Sequence, residues 1–170
     1  MERFAYSVRE LVDKLAPEDD EEEKLKLLRQ VRHWTNADLL TPLGEKNTGT
    51  GVSRKYGPDE VRKAAILRDL ARFGLTVNKL EGMGEYLDDL AKDPSWRDAI
   101  TNKEAVYLEL FWSPDGAHAW SVARDEHLLA IMRPSWKPPR LKNSKIKLPD
   151  PNFTSAIVLS LNRIFSRLTL

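Results

Sequence analysis

The chain has 170 residues, 41% hydrophobic and 31% charged, enough for one ample core or two small domains and balanced as in soluble globular proteins. Its lack of cysteine excludes disulfides, iron–sulfur clusters and thiolate metal sites, and no stretch reaches the roughly 20 apolar residues that span a bilayer. A formal net charge of +1 conceals an asymmetry, because residues 24–79 carry 12 Lys or Arg against 5 Asp or Glu. With no signal-peptide pattern at the N-terminus, a cytoplasmic location away from membranes is expected.

Ser7-Val8-Arg9-Glu10 has the spacing of a capping box, and Val8, Leu11, Val12 and Leu15 line one face of the short helix it opens. Pro17 ends that helix. The six acids from Glu18 to Glu23 then lead into a second helix, whose N-terminal dipole favours anions by about 0.3–1 kcal/mol each. They read either as a solvated extension of that helix or as an acidic knob for a basic partner.

In residues 25–36, Leu27, Val31 and Trp34 fall at i, i+4 and i+7 on one face. Arg29, Arg32, His33 and Asn36 fall on the opposite face, offering the guanidinium, imidazole and amide groups that read base edges and phosphate oxygens. A merely solvated basic face is the alternative. Pro42 to Ser53 is turn-rich, with Gly44, Gly49 and Gly51, and fits the tip of a two-stranded hairpin with Lys46, Arg54 and Lys55 disposed along it. Pro58 suits the first turn of a third helix with Val61, Ala65, Ile66, Leu70 and Phe73 inward and Gly74 as its stop.

VRHWTNADLLTP, residues 31–42, matches in length and register the Leu-Arg-Tyr-Tyr-Glu-Arg-x-Gly-Leu-Leu-x-Pro run of MerR-type regulators, and residues 54–80 resemble that family's wing tyrosine and the helix after it. The resemblance implies a winged helix-turn-helix that binds double-stranded DNA, its second helix in the major groove and its basic wing on the backbone or minor groove. Arg32, His33 and Trp34 stand where the family has Arg-Tyr-Tyr, and Arg54 and Tyr56 where it has the wing Arg-x-Tyr. Tyr56 also suits a core position, hydrogen-bonded through its hydroxyl. The implied DNA-binding set is therefore Arg29, Arg32, His33, Trp34, Asn36, Lys46, Arg54, Lys55 and Tyr56. Two features depart from the family. The acidic run lengthens the turn before the second helix, and Gly82, Gly84 and Pro94 interrupt the stretch where a long dimerisation helix would follow.

Residues 104–132 change period. Val106, Leu108, Leu110 and Trp112 alternate with Tyr107, Glu109 and Phe111, a turn follows at Ser113 to Gly116, and His118, Trp120 and Val122 alternate on the return. Leu128 to Met132 reads as a third strand. Arg133 to Lys147 is a basic, proline-bearing linker or phosphate-tracking segment with Trp136 as anchor or wedge. A C-terminal helix capped at Phe153-Thr154-Ser155 would carry Ile157, Leu161, Ile164, Phe165 and Leu168 onto the sheet or onto a second subunit.

The expected architecture is α+β: a MerR-like winged helix-turn-helix over residues 1–82, a short helical connector over 83–103, and a small antiparallel β-sheet with a C-terminal helix over 104–170, serving as a dimerisation or effector domain. His33, His118 and His127 have no ligand-like spacing, and no phosphate loop or nucleophile elbow is present, so no catalytic residue, metal or cofactor is expected. The expectation is a homodimeric, cytoplasmic transcriptional regulator, not an enzyme, with a transcription-machinery protein or another regulator as a further partner. The alternatives are an excisionase-like DNA-bending factor and a protein-interaction module using the acidic run and the C-terminal sheet.

Overall fold

The computed structural model describes residues 5–16, 20–46, 53–80, 82–112, 118–124, 155–168 and 170. These fall into two units, residues 1–93 with 164–170, and residues 94–163.

In the first unit the chain enters through strand β1 (Tyr6–Ser7) and turns into helix α1 (Val8–Leu15). The capping box is formed: the Ser7 hydroxyl accepts from the Glu10 N–H, and the Glu10 carboxylate accepts from the Ser7 N–H at 2.7 Å. Those two bonds, the backbone bond first, hold the exposed Glu10 carboxyl below its ordinary value. Helix α2 (Glu21–Asn36) starts at Asp20, whose side chain accepts from the Glu23 N–H at 2.8 Å. The described part of the acidic run is thus used locally. Asp20 caps the helix, Glu21 pairs with Lys24 at 2.9 Å, and Glu23 reaches Arg68 and Arg72 at 3.4 and 3.5 Å. Glu18 and Asp19 lie outside the described residues.

Strand β2 (Lys55–Tyr56) pairs antiparallel with β1, and Leu43 bridges to Lys55 with its N–H donating to the Lys55 carbonyl at 2.7 Å. The expected tip, with Gly49 and Gly51, lies outside the described residues. Helix α3 (Pro58–Arg72) begins with proline at its first turn and ends at Gly74, which adopts φ +81° and donates its N–H to the Ala71 carbonyl. Val61, Ala64, Ile66, Leu67 and Leu70 are all fully buried on α3, so this helix is enclosed on most of its sides. Each of the buried Val, Ile and Leu side chains contributes about 1.5–3 kcal/mol by leaving water, against about 0–1 kcal/mol for an exposed ion pair, so burial decides this packing.

Helix α4 (Met83–Leu90) follows a short 3-10 turn at Val77–Leu80. It comes close to the segment after α2: a Cβ at Gly84 would overlap the Asp38 carbonyl oxygen and stand 3.1 Å from the Leu39 Cα. Glycine normally costs a helix about 0.5–1 kcal/mol relative to alanine. Here the sign is expected to reverse, because the obstacle is backbone that cannot rotate away. Gly84→Ala should destabilise the protein by about 1–3 kcal/mol in denaturant unfolding. A stabilised variant would show that α4 is free to shift.

The second unit opens with helix α5 (Pro94–Thr101) and continues as strands β3 (Val106–Trp112) and β4 (His118–Arg124). The third strand is β5 (Ser155–Ser160), giving the order β4-β3-β5 with antiparallel pairs throughout. The expected helix over this stretch is corrected by the structure, since only Leu161–Phe165, α6, is helical. The reason lies in the neighbour. Ile157 and Val158 are β-branched, Ile157 and Leu159 alternate at period 2, and the free edge of β3 offers a ladder that a helix would leave unused. The expected strand at Leu128 to Met132 and the basic segment from Arg133 to Lys147 lie outside the described residues. No helix among the described residues is long and apolar enough to cross a membrane.

Candidate functional site

Alternation along β3 sorts its side chains onto two faces. Val106, Leu108 and Leu110 point one way and are buried, with Leu159 beside Leu108 on β5. On this face Arg124, opposite Val106, extends to α5 and pairs with Asp98 at 3.1 Å, and it also meets Glu104. Burial lowers the Arg124 value, but the two carboxylates outweigh it and hold the guanidinium above the ordinary arginine range. Asn162, just past β5, accepts from the Val106 N–H at 2.7 Å and donates to the Glu104 carbonyl at 2.7 Å. Helix, sheet and C-terminal turn of this unit are thereby tied together on one side.

The opposite face is different in kind. Tyr107, Glu109 and Phe111 on β3 are flanked by Ala119, Ser121 and Ala123 on β4 and by Ala156, Val158 and Ser160 on β5. Glu109 sits at the centre of this array, directly opposite both Ser121 and Val158, and is 2% exposed. The Ser121 hydroxyl donates to Glu109 Oε2 at 2.6 Å, a charge-assisted bond. A buried carboxylate among alanines and serines, bracketed by two aromatic residues of its own strand, is a chemically capable group among the described residues of this unit. Carboxylates are seldom buried without a task, because dehydrating the charge is costly.

The sequence contained part of this signal. The alternation of β3 places Glu109 between Tyr107 and Phe111, but its partner Ser121 is fixed only by the β3–β4 register, and its burial only by packing.

The residues expected to meet DNA differ in their exposure. Arg29, Arg32, His33, Asn36 and Lys55 are exposed. Trp34 is 2% exposed and Tyr56 fully buried, so neither ring is available to a groove. Trp34 shares the inward stripe of Leu27 and Val31, while the Tyr56 hydroxyl shares a 2.8 Å hydrogen bond with Thr35. Lys46 and Arg54 are engaged within the protein. The Lys46 ammonium pairs with Asp38 at 2.6 Å and donates to the Asn36 carbonyl, and Arg54 Nε donates to the Lys46 carbonyl at 2.7 Å. The two cations thus brace the turn from α2 towards β2. Among the described residues no cluster of three or more His, Cys, Asp or Glu fit to hold a metal occurs; His127 lies outside them.

No family model matches the chain. Among curated proteins it is similar to the mycothiol acetyltransferase of Arthrobacter sp. (strain FB24), with 32% identity over 117 residues, which cover 63% of this chain and 35% of that protein. The chain therefore spans about a third of the length of this relative. The similarity corrects the sequence-based expectation. The name of this relative is that of an acetyl-transferring enzyme, which overturns the expectation of a DNA-binding transcriptional regulator that is not an enzyme. The resemblance to MerR-type proteins rested on short runs such as Leu39-Leu40-Thr41-Pro42 and Arg54-Lys55-Tyr56. Leu39, Leu40, Pro42 and Tyr56 are buried, and helical packing of this kind imposes such residues whatever the function.

Proposed function

We propose that the chain takes part in acetyl transfer and that Glu109 is its proton acceptor. The similarity to an acetyltransferase is the observation that carries this reading. In such a transfer the nitrogen or oxygen of an acceptor bonds to the carbonyl carbon of an acetyl thioester. The carbon–sulfur bond breaks and the sulfur leaves as thiolate with the electron pair. The acceptor's proton passes to a base and from there to the thiolate. A carboxylate positioned beside the acceptor serves as that base and contributes about 10²–10⁴-fold.

Glu109 suits the role because it lies in the middle strand of a hydrogen-bonded sheet, where the backbone on both sides is fixed. The residues around it on β4 and β5 are mostly small, leaving the carboxylate as the main polar group of that face.

The test is direct. Purified protein is incubated with acetyl coenzyme A and a panel of primary amines and alcohols, and thiol release is followed with a chromogenic thiol reagent. Having no cysteine, the protein itself contributes no thiol signal. Release should depend on the acceptor, and Glu109→Gln should lower kcat by about 10²–10⁴-fold with unchanged circular dichroism. Thiol release no faster than solvent hydrolysis with every acceptor would remove the reading.

A further inference from the structure

We propose that the exposed face of α2 docks antiparallel on the same face of a second copy of this chain. Glu22, Leu25, Arg29, Arg32 and Asn36 are all exposed and follow one another at steps of three and four residues, the spacing of a single seam along a helix. Charge is graded along that seam. The first turn carries Glu21, Glu22 and Glu23, whereas Arg29 and Arg32 stand further along. Among the described residues Glu22, Arg29 and Arg32 have no charged partner. Glu22 and Arg32 are separated by about 15 Å along the axis, so one helix cannot close this pair on itself. Between them Leu25 is 56% exposed.

An antiparallel copy related by a two-fold axis answers both the charges and the exposed leucine. An isologous contact repeats every pairing, so residue i against residue j also sets j against i. With Glu22 facing Arg32 of the second copy, Leu25 faces Arg29, because both pairs share Leu27 as their midpoint along the helix. Two Glu22–Arg32 pairs then close the ends of the contact, and the methylene stem of each Arg29 covers a Leu25. Beside the axis the half-buried Leu28 meets its own counterpart. Lys26 does likewise on the other flank, where Glu23 of its own helix, at 4.0 Å, offsets the like charges. A register one heptad away sets Arg29 against Arg32 or Glu22 against Leu25, so the charge gradient selects a single alignment. Exposed ion pairs contribute little each, which makes the contact weak and concentration-dependent.

Sedimentation velocity of the full chain, from about 10 µM to about 1 mM, should show a monomer–dimer equilibrium that weakens as salt rises from about 0.05 M to about 0.5 M. Glu22→Arg and Arg32→Glu each place like charges together at both ends and should weaken dimerisation by about tenfold or more. Both positions are exposed, so circular dichroism should stay as in wild type. Mixed in equal amounts, the two variants bring opposite charges back to both ends of a heterodimer, and association should return to near the wild-type strength. A chain that stays monomeric over the whole range overturns the proposal. So does a dimer that both variants retain, which uses another surface, and so does a mixture that fails to associate. A monomer that binds polyglutamate through Arg29 and Arg32 overturns it as well and gives this face to an acidic partner.

Discussion

Replacing Lys63 with methionine is expected to destabilise the protein by about 3–5 kcal/mol, measured by urea unfolding at neutral pH. Lys63 on α3 is 3% exposed and its ammonium donates to Glu60 at 2.5 Å and to Asp88 on α4. The Glu60 carboxylate in turn accepts from the Thr41 N–H at 2.7 Å. One buried cation therefore joins α3 to α4, while its partner joins α3 to the segment after α2. Burial alone would lower the Lys63 value, but the hydrogen bonds to Asp88 and Glu60 outweigh it and hold the ammonium above the ordinary lysine range. Burial also pushes the Glu60 carboxyl up, against the pull of Lys63 and of the Thr41 N–H.

Methionine fills the volume but leaves Glu60 buried without its cation, which is the costly half of the exchange. Adding Glu60→Gln to Lys63→Met should recover most of the loss, since a neutral amide still accepts from Thr41. Equal unfolding midpoints for the single and double variants would show that Glu60 is not stranded by the loss of Lys63. The pH dependence follows from the raised Lys63 value. Its contribution is fully present below the unfolded lysine value and is lost as pH climbs through the higher folded value. Wild type should therefore lose stability at strongly alkaline pH more steeply than Lys63→Met.

Trp34→Ala should cost about 3–5 kcal/mol, the range for deleting a large buried aromatic side chain. Trp34 is 2% exposed and lies on the inward stripe of α2, with Leu27 and Val31 each at 0%. Two residues earlier on the same helix, the exposed Arg32→Ala should change stability by no more than about 0.5 kcal/mol. The contrast is the measurement. Similar unfolding midpoints for the two variants would mean that α2 does not bury the face its period assigns.

Local order was readable from the chain because it depends on neighbours a few residues apart. The Ser7–Glu10 box, the Leu27, Val31 and Trp34 stripe, the proline that opens α3 and the Gly74 stop all rest on spacings of three to seven residues, and each is present in the structure. So is the alternation that makes β3 and β4 strands. The C-terminal stripe failed because Ile157, Leu161 and Ile164 satisfy a helical period while Ile157 and Leu159 satisfy a strand period. A free β3 edge settled the choice in favour of β5.

The functional reading failed for a related reason. Arg, His and Trp on one helix, followed by a basic turn, look alike in sequence whether they face a ligand or brace the protein. Tertiary structure spends Lys46 and Arg54 on the Asn36 to Asp38 turn and buries Tyr56 against Thr35. What the sequence by itself determined was thus the first three helices and the first two strands of the sheet, since periodicity is a property of adjacent residues, although Phe73, expected inward on α3, is exposed. What only the tertiary structure decided was which polar groups are buried and with whom: Lys63 with Glu60 and Asp88, and Glu109 with Ser121, pairs drawn from positions between 3 and 25 residues apart. Burying a charge is favourable only where folding has already brought its partner to it, and that meeting is a property of the packed chain.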